Sequence, residues 1–173
     1  STSATNVVGL VTSTTGTTAT GRTAISTYNS SIALGGGEAV YEYRIDGIGN
    51  LSTVTERYAL LVGFYDTQSG VNQVDGVYFL YDEGGVSTGS AASANWQTVT
   101  VSNSTRTFNT TSTAVATTGT TLKIVVNAAG TNVDFYIDGV ITATSHTTSI
   151  PTGTARALGF GALLIKSIGT TAR

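Results

Sequence analysis

The chain has 173 residues, a net charge of −2, one histidine and no cysteine. That length suits one domain with a sizeable core; the missing cysteines exclude disulfides, thiolate metal sites and a cysteine nucleophile. Acids and bases are scattered without a basic patch, which argues against nucleic acid as a partner, and no apolar run reaches the ~18 residues of a membrane-spanning helix.

Only 10% of residues are charged, while 34 are threonine, 21 are glycine and one is proline. That composition favours many short strands joined by glycine turns. The chain opens at Ser1 and contains no methionine, so a processed start or a piece of a longer product is expected. Taken in order, residues 1–37 are mostly Ser, Thr, Gly and small apolar residues. Within them "NVVGLVT" (6–12) reads as a first strand, and "TSTTGTTATG" (12–21) as a loop or an arm that orders against a neighbour. "AVYEYRID" (39–46) alternates Tyr41, Tyr43 and Ile45 against Glu42, Arg44 and Asp46, the period of a half-buried strand. "RYALLVGFYD" (57–66) and "GVYFLYD" (76–82) are apolar on both faces, as central strands are. "NWQTVTV" (95–101) alternates again, and "LKIVVN" (122–127) turns Leu122, Ile124 and Val126 inward.

"NVDFYIDGVITAT" (132–144) is a hairpin bent at Asp138-Gly139, because a tight two-residue turn needs positive φ at both positions. A strict turn puts Val133, Phe135, Ile137, Val140, Thr142 and Thr144 on one face; a bulge would swap the faces of the second strand. Phe135 is expected inside and the hairpin is expected to be scaffold. "RALGFGALLIKS" (156–167) closes the series. Strands at roughly ten-residue spacing with turn signals between them give an all-β antiparallel sandwich or barrel.

The segments "LLVGFYDTQSGVNQVDGVYFLYD", "ANWQTVTVSNSTRT" and "LKIVVNAAGTNVDFYIDGVITATSHTTSIPTGTARALGFGALLIKSIGTTAR" together resemble a concanavalin A-like jelly-roll domain of the kind found in structural and fibre proteins of tailed bacteriophages. The resemblance covers about residues 38–173, which sets residues 1–37 apart as an N-terminal arm or first strand. It implies a jelly-roll, lectin-like sandwich. It also implies a further strand beyond Arg173, so an open sheet edge is expected there.

Enzymatic chemistry finds little support. Glu42 and Asp46, with Arg44 between them, are the nearest thing to a carboxylate pair. Residues i and i+4 of a strand lie about 13 Å apart at ~3.3 Å per residue, beyond the ~5–9.5 Å of glycosidase pairs. A row of solvated alternating charge is the plainer reading. His146, the only histidine, has no glycine-flanked nucleophile elbow to serve. Glycan binding is better supplied: Asp66, Gln68, Asn72, Asp75 and Tyr78 lie on and beside the loop "DTQSGVNQVDG", followed by Asn95, Trp96 and Arg106. Loops on a rigid sheet commonly carry binding groups, but Asp, Asn and Gly also make turns through their own side chains. Asp66, Asp75, Asp82 and Glu83 offer oxygens for calcium; no other cofactor is indicated.

The expectation is a non-enzymatic virion structural protein on the particle exterior, a capsid decoration, head fibre or tail-fibre module. It would assemble through sheet faces and edges with identical subunits, as a trimer, and with other virion proteins, leaving loops for weak attachment to cell-surface glycans. Low charge suits surfaces covered by neighbours. The alternative is a secreted bacterial carbohydrate-binding module or lectin with no structural role. Neither nucleic acid nor membrane is expected as a partner.

Overall fold

The computed structural model describes residues 13–27, 31–46, 48–89 and 91–173; the strand expected at 6–12 lies outside them. Among these residues ten strands form two antiparallel sheets, and the single helical element is a 3₁₀ turn at Thr154–Arg156. The strands are β1 (Arg22–Ser26), β2 (Ala39–Ile45), β3 (Arg57–Tyr65), β4 (Gly76–Asp82) and β5 (Ser93–Ser102). They continue with β6 (Thr105–Ala114), β7 (Thr120–Val126), β8 (Val133–Ile137), β9 (Val140–Ile141) and β10 (Gly159–Ile168). One sheet runs β1-β10-β3-β4-β5-β6 and the other β2-β7-β8-β9.

The core follows from the sequence periods. β7 and β8 alternate, turning Leu122, Ile124, Val126, Val133, Phe135 and Ile137 inward. Opposite them β3 and β4 contribute Tyr58, Leu60, Val62, Phe64, Val77, Phe79 and Tyr81, with Trp96 of β5. Strands β3 and β4 are apolar on their second face too. There Leu61, Tyr65, Tyr78 and Leu80 join Val99, Val101 and Leu163 in a second cluster, with Val71 and Val86 from the connections 66–75 and 83–92 packed on it.

Glycine is required where β3 passes β4 and β10. Gly63 (φ +147) stands between Tyr78 and Gly161 (φ +154) in the strand register. A Cβ at Gly63 would lie 2.5 Å from the Val77 carbonyl oxygen and 2.7 Å from Ile124 Cδ1. Backbone cannot yield as a flexible side chain can, so Gly63→Ala is expected to destabilise the domain by about 1–3 kcal/mol, read from the denaturant midpoint at unchanged m-value.

Among the described residues β10 leaves no open edge of the kind expected after Arg173, and the sheet ends at β1 instead. β10 pairs with β3 on one side and β1 on the other, because β1, from the Thr-rich N-terminal stretch, fills that place. Ile32 bridges to Leu158, and Leu34 is buried in the core. Residues near both ends are tied together. Thr15 N donates to the Arg173 carbonyl (2.8 Å), and the buried Lys166 Nζ donates to the carbonyl of Thr171 (2.7 Å).

The hairpin keeps strict register at its tip: Ile137 faces Val140 and Tyr136 faces Ile141, with Asp138 (φ 50) and Gly139 (φ 81) in the turn. Phe135 is inside, as expected. The strict register fails beyond Thr142. It would set Thr144 opposite Val133, whereas His146 is bridged to Val133 instead. The two extra residues preserve side-chain parity, so His146 points inward as Thr144 would have done.

Candidate functional site

The loop residues expected to bind a glycan are brought together in part, and mostly hold the loops themselves. Asn72 Oδ1 accepts from Thr88 N (2.9 Å) and Ser87 Oγ (3.2 Å). Arg106 donates to Ser87 Oγ and the Thr88 carbonyl, both at 2.7 Å. Thus the connections 66–75 and 83–92 are clasped to each other and to β6. Asp75 accepts from Asn103 N (3.0 Å) and pairs with Arg156 at 2.7 Å. Gln68 donates to Ser26 Oγ of β1 (2.7 Å).

Two groups of this cluster keep unused atoms. Asp66 Oδ1 and the Tyr78 hydroxyl are buried with no hydrogen-bond partner. Burial raises the Asp66 carboxyl above its ordinary range, against the pull of backbone N–H donors, and pushes the Tyr78 phenol up to about 12 against the attraction of Arg106. Asn95 and Trp96 lie apart from the cluster. Asn95 Nδ2 donates to the Thr111 carbonyl (2.8 Å). Trp96 is 1% exposed, its ring edge-on to Phe79 and Tyr81, so it is core rather than a binding surface.

Of the four acids considered for calcium, Asp75, Asp82 and Glu83 are engaged, while Asp66 keeps the unused Oδ1. Asp82 accepts from Val86 N and Ser87 N at 2.7 Å, and Glu83 accepts from the Tyr81 hydroxyl at 2.8 Å. Among the described residues no group of three or more His, Cys, Asp or Glu side chains is placed to hold a metal ion. Glu42 and Arg44 are exposed on β2, and Arg44 meets Asp46 at 3.3 Å, a solvated charge row.

A cleft of about 420 Å³ opens on the flank of the sandwich, where the edge strand β6 of one sheet faces the β9 end of the other. Residues 109–113 of β6, with Thr98 of β5, line one side; Thr142 and Thr144 line the other; Ile137, Val140 and Ile141 supply aliphatic surface. No charged side chain lines it. The Thr142 hydroxyl is buried there without a partner. Sequence reasoning missed this site. One signal was available: residues 109–113, "NTTST", are polar at both parities of a strand, and a strand with two polar faces belongs at an edge.

Behind one wall of the cleft lies His146, 1% exposed. Its Nδ1 is 2.9 Å from Thr100 Oγ1, its Nε2 is 2.8 Å from Thr98 Oγ1 and 3.0 Å from Asn109 Nδ2, and the Phe135 ring meets it edge-on at 5.1 Å. Burial lowers its pKa from 6.5 to about 4. The imidazole is therefore neutral at pH 7 and joins the two sheets at the cleft.

A model of the family described as "SO2946-like, C-terminal domain" matches residues 6–173. The chain belongs to this family. No curated protein sequence matches it. Among solved structures, this SO2946-like domain is similar to the potassium-bound carbohydrate recognition domain of Emp46p. The TM-score is 0.58 at 8% identity, covering 92% of this chain and 77% of that one. The carbohydrate recognition domain of Emp47p gives 0.52 at 10% identity, covering 91% and 74%. Sheep galectin-11 in complex with glycerol gives 0.44 at 13%, covering 88% and 94%. At such identities the likeness is one of fold, and the fold is the lectin-like jelly roll expected from the sequence.

Proposed function

We propose that the SO2946-like domain binds a neutral carbohydrate in the cleft between β6 and residues 140–144. The observation that carries this reading is the lining. Hydroxyls stand on both sides of aliphatic surface, with the Asn109 amide on the β6 side and no charge among them. A sugar ring has that same mixed surface, C–H patches bordered by hydroxyls, and a volume of about 420 Å³ falls in the ~300–1,000 Å³ range of small-molecule sites. The two carbohydrate recognition domains of the same fold support the assignment by analogy. No aromatic ring lines the cleft, so single-site affinity is expected to be weak and to profit from several copies acting together.

A glycan-array screen of the purified chain tests this, with Ser112→Arg and Thr144→Arg as blocking variants. Both positions are exposed, so melting temperature is expected to stay unchanged while binding falls roughly tenfold or more, a loss of ~1.4 kcal/mol. Binding that survives both substitutions and disappears in Asp75→Ala would move the site to the loop cluster.

The reading as an exterior virion part, assembling with identical subunits through faces and edges, rests on the sequence resemblance. The open edge on which it partly leaned is occupied by β1. Among the described residues β6, at ten residues, is the longest edge strand, and β2 ends the other sheet at seven. The β6 edge borders the cleft, so assembly there would compete with ligand.

A further inference from the structure

We infer that His146 is a positioning residue of the cleft: its neutral Nδ1–H tautomer turns the Asn109 amide so that nitrogen faces the imidazole and the carbonyl oxygen is left for a ligand. This rests on the carbohydrate reading for its consequence, but not for its geometry.

The tautomer follows from a chain of donors. The Thr148 carbonyl can only accept, and Thr100 Oγ1 donates to it at 2.9 Å. With its one proton spent, Thr100 Oγ1 must accept from Nδ1–H. Nε2 is then an acceptor, served by Asn109 Nδ2 and Thr98 Oγ1. Asn109 also lines the cleft. Its Nδ2 is committed to the ring, and its Oδ1 has no hydrogen bond to the described residues. The single amide of the cleft wall thus offers an acceptor. Such a wall favours ligands that present donors, the hydroxyls of neutral sugars or the N–H of an N-acetyl group. It disfavours the carboxylate of a uronic acid, which brings only acceptors.

Acid reverses this wall. A protonated imidazole has N–H on both nitrogens, so Nε2 then needs an acceptor. The Thr98 hydroxyl can accept from it and donate in turn to the Asn109 backbone carbonyl, but the Asn109 NH₂ would then face a donor at 3.0 Å; turning the amide over removes that clash and sends its NH₂ group to the cleft. No other charge intervenes. β5 faces the ring with Thr98 and Thr100, β6 with Asn109, and β8 with Phe135. The carboxylate on β8, Asp134, projects from the opposite side of that strand and is held by Asn132 and Ser145. Thr107 of β6, beside them, is bonded to Thr148 and Ser149.

One histidine per chain makes the test direct. In a uniformly ¹⁵N-labelled sample, the single ring is expected to show protonated Nδ1 and bare Nε2 at neutral pH. The Asn109 side-chain NH₂ signals are expected to move with the same midpoint as the ring on acidification. An Nε2–H tautomer, or Asn109 signals that ignore the ring's titration, overturns the inference. Asn109→Asp, which sets a carboxylate against Nε2, is expected to raise the ring's midpoint by more than one pH unit; an unchanged midpoint overturns it as well. Neither readout needs a sugar, so failure of the carbohydrate reading on the array remains a separate result. For a glycan retained by the array, the uronate counterpart is expected to bind at least tenfold more weakly at neutral pH, and equal binding overturns the specificity assigned to Asn109.

Discussion

Replacing Phe135 by alanine is expected to cost about 3–5 kcal/mol of stability, the range for deleting a buried ring that its surroundings cannot refill. Phe135 has no exposure and sits between Phe79 and His146, edge-on to each at 5.1 Å. One neighbour belongs to the opposite sheet and the other to the segment that crosses back to it. The cavity would therefore open at the joint between the layers, where collapse is hard. Tyr136→Ala is the matched control. That side chain lies on the outer face of the same strand, half-buried, with Lys123 Nζ 4.9 Å from its ring centre. It is expected to cost under about 1 kcal/mol. Equal losses in the two variants would mean that the hairpin faces are reversed. The Phe135→Ala cavity also admits water beside His146, so the ring's titration is expected to move back toward 6.5 in that variant, measurable by NMR.

Legibility in the sequence tracked the range of the physics involved. The turn at Asp138-Gly139 is set by local backbone preference, and the inward sets of β7 and β8 by a period of two, so both could be read directly. β3 and β4 were recognisable as central because they are apolar at both parities. His146 was not readable as a core residue: its place depends on two extra residues between Thr142 and His146, and no dipeptide signals that bulge. The cleft was hidden for a different reason. Its walls come from β6 (109–113) and from β9 with the segment after it (140–144), which meet only once both sheets are stacked. Asp66, Gln68, Asn72, Asp75 and Tyr78 read as one cluster with Arg106 apart from it, yet composition cannot tell a side chain that waits for a ligand from one that already holds a loop. The hydrogen bonds of Asn72, Asp75 and Arg106 fall mainly on the second side. Trp96 misled because a lone tryptophan in a threonine-rich strand suits a sugar platform and a core equally well.

Stability is expected to fall by about 3 kcal/mol as pH drops from 6.5 to 4, through His146 alone. The ring's pKa in the folded protein is lowered to about 4 by burial, against 6.5 for the free side chain. Across that window the unfolded chain takes up a proton that the folded chain refuses, so acid favours unfolding. The full contribution is present well above pH 6.5, is lost progressively below it, and levels off only once pH is below about 4; 2.5 units at ~1.4 kcal/mol each sets the upper limit, most of it lost within that window. Asp66 and Asp82 act with the opposite sign. Burial raises both carboxyls above 3.8, so the folded state binds their protons more readily and gains stability as pH falls through the raised values. The comparison that isolates the histidine is therefore wild type against His146→Gln, by denaturant midpoint at half-unit steps. Near pH 7 the variant is expected to be the less stable, having lost bonds to Thr98, Thr100 and Asn109. The two curves are expected to converge toward pH 4, because only wild type carries the proton penalty. Parallel curves would show a ring in contact with water. Convergence would place the acid sensitivity of the domain at the joint between its sheets, beside the cleft, where the loss of one neutral imidazole loosens both the wall that carries Asn109 and the segment that carries Thr142.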